Sequence, residues 1–479
     1  MQKIFWVSMD KLILNKEKLL EILAQENDDA AMESYYQQAL SGHVVANEHM
    51  AMVAFLLLLV RYKRRKLFND NMNPFHFFGV PQDDFKKYFE LLERANWEIY
   101  ESIKAKENIP DQPLVEFSED CAILHFWRNN FFESLRACEN ALQRDENSFI
   151  CNFIKASIIE LCYINKTNIG YKIQLANYQK SLINKCDESQ LNFNEQIYHK
   201  VMEIIDANYK TLDEQYHNIN FTLAPETFEK TQEMIPEWTE EHDFCLRYRL
   251  FLNPLCNFDL FLESSFEELE DLQIEKEFKD TFDEIVEEFK MCRHLTFEFS
   301  KSSNDDTKRV QCMVYSYAYS ILDKLAFLFS KVYEINVDED EVAFTQNKLF
   351  DKKFKKEDLC FKKVKSPYIY PLYFIMEKVR GRQETKDAIK TVIFKFNELR
   401  NTIEHRTISK IEKNALQAHS IFLMKLIKEA ILYSYMLLNS FSGKDGSHHN
   451  VSAISNSYYN AIIQIELEQR KKELSNDQL

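Results

Sequence analysis

Asn397-Glu398-Leu399-Arg400-Asn401-Thr402-Ile403-Glu404-His405-Arg406 is the stretch from which the chain is read outward. It lies in a segment, about Thr385 to Ser409, whose apolar residues fall at Ile389, Val392, Ile393, Phe396, Leu399 and Ile403. Steps of three and four put all six on one side of an α-helix. Asn397, Asn401 and His405, each four apart, form a polar stripe on another side. Arg400 falls at the edge of the apolar stripe, about 140° round the ideal helix from His405. Two accounts fit this pattern. The helix is buried on two sides, by its own core and by a second copy of the chain, or Arg400 snorkels from the core edge while His405 lies at the surface.

Helical spacing continues on both sides. Val310 to Ile335 carries Tyr315, Tyr319, Leu322, Leu325, Ala326, Leu328 and Phe329, interrupted only by Asp323-Lys324. A last long helix is expected from about Asn414 to Ser440, and a short one from the Tyr368-Ile369-Tyr370-Pro371 turn to Val379. Upstream, Phe278, Phe282, Ile285 and Phe289 give an amphipathic helix whose other face is acidic. Leu250-Phe251-Leu252-Asn253-Pro254 reads as a helix end or turn, because the residue before proline avoids the α region. Only 6 glycines and 9 prolines occur in 479 residues, too few for the many turns of a sheet-rich protein. The expected fold class is all-α.

The N-terminal part has the same character. Leu12, Leu19, Leu20, Ile22 and Leu23 are read as helical, and the apolar run Met50 to Val60 as a buried core helix, too short to span a bilayer. Another helix is expected over about 83–106. The stretch Asn129 to Asp145 resembles the second helix of a tetratricopeptide (TPR) repeat, which a small residue and an aromatic open and in which a small residue such as Ala141 allows close packing. Phe149 to Ile164 and Tyr171 to Leu182 continue the rhythm. A TPR-like helical-hairpin array over 1–220 would present a concave surface to a protein partner or trigger. Residues 221–241, with Pro225 and Pro236, are taken as a linker.

The net charge of -16 argues against indiscriminate binding to nucleic acid or acidic membranes. The charge is uneven, however. Residues 348–413 hold 18 lysines and arginines against 9 acidic residues, whereas 263–288 hold 12 acidic residues against 2 lysines. A basic block around the central helix suits an anionic substrate; a solvated helix face would carry the same charge. The ten cysteines form no Cys-x-x-Cys pair and have no histidine at zinc spacing, so no metal site and no cofactor is expected. They read as buried apolar residues in a reducing compartment. Without a recognisable signal peptide, the expected location is cytoplasmic.

Arg400-Asn401-Thr402-Ile403-Glu404-His405 resembles the signature of the HEPN superfamily (higher eukaryotes and prokaryotes nucleotide-binding domain): an arginine, a polar residue beside it, and a histidine a few positions on. Leu322-Asp323-Lys324-Leu325-Ala326 and Leu250-Phe251-Leu252-Asn253-Pro254-Leu255 extend the likeness to a bacterial branch with TPR-like helices before the HEPN domain. The resemblance implies a four-to-five-helix bundle over 242–442, followed by a tail or helix over 443–479. It further implies a metal-independent endoribonuclease acting as a homodimer on RNA, tRNA included, in toxin or antiviral defence settings. In that reading His405 is the acid/base and Arg400 the phosphate clamp. Asn401 orients one of them, Glu404 supports Arg400, and Arg406, Lys410 and the 348–365 lysines hold the RNA backbone. The alternative is a non-enzymatic TPR-like scaffold whose HEPN half dimerises or binds nucleotide.

Overall fold

The computed structural model describes residues 12–69, 111–127, 130–164, 238–252, 274–302, 307–333 and 413–439, with single positions or short pieces of 91–105, 178–185, 269–272 and 368–379, and residue 403. Among the described residues the architecture is all-α apart from one small two-stranded ribbon. Strand β1 (Leu12–Leu14) pairs in parallel with β2 (Val44–Ala46), Ile13 opposite Val45. This corrects the helical reading of Leu12. The next helix, α1 (Lys16–Ala24), starts only after Asn15, which is extended and accepts the Lys18 N–H at 2.8 Å. Side-chain capping of this kind sets where a helix begins. Asp28 does the same for α2 (Asp29–Leu40), accepting the Ala30 and Ala31 N–H groups. Gly42, at φ +73, then turns the chain into β2.

Helix α3 (His49–Asn69) is the expected core helix. Phe55 to Val60 are all buried, Leu57 against Val53 and Ile99 and the others in a core with Leu14, Ile22, Met32 and Tyr36. Among the described residues no helix is long and apolar enough to cross a membrane. The described positions between 91 and 102 are helical, and Leu91, Leu92 and Ala95 join the same core.

Helices α4 (Asp111–Trp127), α5 (Phe131–Leu142) and α6 (Phe149–Ile164) pack in succession. The short connection makes α4 and α5 a hairpin, and Ser134 Oγ donates to the Ala122 carbonyl at 2.7 Å between them. The segment read from 129 to 145 is thus helix α5, with Phe131, Phe132, Leu135, Cys138 and Ala141 all buried. Its likeness to a TPR helix remains one of sequence.

Helix α7 (Glu240–Tyr248) ends at Arg249 in the left-handed conformation, and Leu250, Phe251 and Leu252 run on, buried and non-helical. Helices α8 (Lys276–Lys301), α9 (Thr307–Val332) and α10 (Lys413–Asn439) then pack pairwise against one another. Leu372, Ile375 and Val379, at helical spacing, join them, and the Tyr319 hydroxyl donates to the Val379 carbonyl at 3.3 Å. A single apolar core runs without a break from α4–α6 into α7–α10. Of the expected linker 221–241, residues 221–237 lie outside the described residues, as do the tail 443–479, the connector 348–365 and, except for Ile403, the helix 385–409.

Candidate functional site

The three long helices converge where α8 ends and both α9 and α10 begin. Phe299, Cys312 and Leu416, one from each helix, form a small buried cluster there. Ile403 is helical, half-buried and packed on that cluster. The same end is tied by Lys413, whose ammonium donates to the Ser302 carbonyl and lies 5.4 Å from the centre of the Phe299 ring. Ile403 belongs to the apolar stripe read from the sequence, and it faces a core as that stripe requires. Arg400, Asn401, Glu404, His405, Arg406 and Lys410 lie outside the described residues.

A comparison with family models now bears on this bundle. Residues 312–440 match the model described as LA2681-like HEPN. This part of the chain is a HEPN domain. The match takes in most of α9, all of α10 and the whole Arg400–His405 motif, and it directs the functional reading to RNA or nucleotide chemistry. No curated protein and no solved structure matches the chain.

The HEPN domain is held to the preceding helices by polar as well as apolar contacts. The upstream elements of the resemblance are built into its support. Arg293 of α8, almost fully buried, donates to the Leu250 carbonyl at 3.5 Å. Lys324, which breaks the apolar run of α9, reaches across to Glu284 and Glu288 on the acidic face of α8. Burial drives the Cys292 thiol up to about 12, so that cysteine is an inert core residue. Among the described residues no group of three His, Cys, Asp or Glu side chains could hold a metal ion.

A buried layer of charge lies between α5 and α10, and the sequence shows it only in part. Arg136 of α5 contacts Glu133 at 2.6 Å and Glu429 of α10 at 3.0 Å, the latter only 2% exposed. Arg249, past the end of α7, pairs with Glu139 of α5. Lys428 is 1% exposed, with its ammonium 5.3 Å from the centre of the Phe132 ring. Burial pushes Lys428 down to about 7 and Lys425 down to about 8, with Arg136 opposing protonation and Glu429 favouring it in both. Tyr433 completes the layer. Its hydroxyl accepts the Phe132 N–H at 3.0 Å and donates to Asn130 Oδ1 at 3.3 Å. Asn130 caps α5 by position but not with its side chain, so a tyrosine of the HEPN domain supplies the acceptor that this helix start needs. The local signal was present only as Glu133, Arg136 and Glu139 three apart on one helix. Their partners lie far along the chain, Arg249 for Glu139 and Glu429 for Arg136.

Proposed function

We propose that the chain is a HEPN endoribonuclease that cleaves RNA without a metal ion and acts as a toxin or antiviral defence effector. The observation that carries this reading is the motif itself, Arg400 with His405, inside the matched HEPN segment, with Ile403 anchored at the end of the bundle.

The chemistry follows from residue types. The RNA 2′-oxygen attacks the adjacent phosphorus, the P–O5′ bond breaks, and a 2′,3′-cyclic phosphate and a 5′-hydroxyl result. His405, ordinarily titrating near neutrality, moves the proton as acid/base. The Arg400 guanidinium binds two phosphate oxygens at once and stabilises the charge that grows on them. Asn401 orients the histidine or the phosphate, Glu404 positions Arg400, and Arg406 and Lys410 hold the RNA backbone without reading sequence. A second copy of the chain completes the cleft in a homodimer, and the N-terminal helices hold the trigger or regulator.

The test is cleavage of total RNA and tRNA in EDTA by wild type, Arg400→Ala and His405→Ala. Wild type is expected to leave cyclic-phosphate ends, and each variant to lose about a hundredfold or more in rate. Cleavage retained in both variants would detach the activity from the motif. No cleavage by wild type, before or after incubation with infected-cell extract, would leave the scaffold reading in its place. A strict monomer by light scattering at micromolar concentration would remove the shared cleft.

A further inference from the structure

The layer of charge between α5 and α10 contains more than packing requires. We propose that it is a binding site for a phosphate-type oxyanion. The proposal stands independently of the ribonuclease reading, and most of its residues precede the matched HEPN segment.

Among the described residues, the groups facing one another are Glu133, Arg136 and Glu139 from α5, Arg249 from the end of α7, and Lys425, Lys428, Glu429 and Tyr433 from α10. Four cations meet three carboxylates. Lys155 of α6, also buried, interacts with Glu139 and adds a fifth cation. Buried cations need anions or hydrogen-bond acceptors facing them, and an anion entering the layer would supply both. Both guanidinium groups keep a donor in reserve. Arg136 Nε and Nη2 and Arg249 Nη1 are buried and make no hydrogen bond among the described residues, and Glu139 Oε1 is likewise unsatisfied, although each arginine lies within ion-pair distance of a carboxylate.

Donors arriving from three separate elements suit a tetrahedral oxyanion better than a carboxylate, which one arginine fork can satisfy. The layer is not sealed. The Arg136 and Arg249 side chains are 20% and 26% exposed, so the layer reaches the surface at both residues. The depressed lysines agree with this reading, because an anion beside Lys428 and Lys425 would restore their protons. Leu416, which touches Ile403, and Lys428 stand twelve residues apart on α10, about 18 Å along one rigid rod. A ligand in the layer would thus lean on the helix that anchors the motif.

The test uses the full chain. Thermal unfolding is followed against inorganic phosphate, with sodium chloride at matched ionic strength as control, and with AMP in a parallel series. Calorimetric titration in buffers of different ionisation heat counts protons. Wild type is expected to show a saturable rise in Tm with phosphate and net proton uptake at pH 7.5. Lys428→Met, which keeps an apolar stem, and Arg249→Gln are expected to bind phosphate at least tenfold more weakly. If Lys428→Met does not fold, Arg249→Gln decides. AMP binding more tightly than phosphate assigns the site to a nucleotide phosphate, and equal affinity assigns it to the free ion. The same rise in phosphate as in matched chloride, or an undiminished rise in the folded variants, overturns the proposal.

Discussion

Arg249 holds φ 55 and ψ 51, in the left-handed region that a residue with a side chain enters at roughly 1–2 kcal/mol. Its ion pair with Glu139, itself almost fully buried, keeps it there. Arg249→Ala and Arg249→Gly remove the same pair, but only glycine relieves the backbone. Both variants are expected to be less stable than wild type, with Arg249→Gly above Arg249→Ala by roughly 1 kcal/mol in urea unfolding. Equal values for the two would show that the turn relaxes once the side chain is gone. Lys428 gives a second prediction at this scale. Its folded pKa lies well below its unfolded value, so above pH 7 the unfolded chain binds more protons than the folded one. Stability from this group therefore rises with pH. Between pH 6.5 and 8.5, in phosphate-free buffer, wild type is expected to gain stability relative to Lys428→Met. Staying below pH 9 keeps the buried thiols, which are pushed the opposite way, out of the difference.

Among elements, α9 separates core from surface within one helix. Leu325 is fully buried and Met313 is 72% exposed. Leu325→Ala is expected to cost about 2–5 kcal/mol, and Met313→Ala less than about 0.5 kcal/mol, both read from chemical denaturation. The same helix shows what the sequence made legible. Periodicity placed α9 and α10 to within a few residues, because an apolar stripe facing a large core is the strongest local signal a chain carries. The interruption at Asp323-Lys324 was visible too, although its reason, the acidic face of α8, was not. Leu12 was misread because three apolar residues satisfy a strand as readily as a helix, and the Asn15 cap decides between them. The charge layer was illegible for a different reason: Glu133 and Arg136 are an ordinary exposed pair on any helix until Glu429 comes to lie against them. Of the candidate site, the structure bears on one position, Ile403, whose inward packing agrees with the stripe.

At the scale of the whole molecule, the helices before the HEPN domain and those within it share one core, and Tyr433 caps α5 from the far side of it. The two should unfold together. In hydrogen exchange, the amides of α5 and α10 are expected to open as one cooperative unit, and Tyr433→Phe to speed exchange at the start of α5 as well as in α10. Independent opening of α10 would show that the interlock adds no cooperativity. The Tyr433 contact also bears on ancestry and on engineering. A gene fusion that exchanged everything before residue 242 for an unrelated domain would strip Tyr433 of the helix start it serves and leave Glu429 without Arg136. The new neighbour would need matching charges in matching places. Halves joined in this way are expected to fold well only with each other.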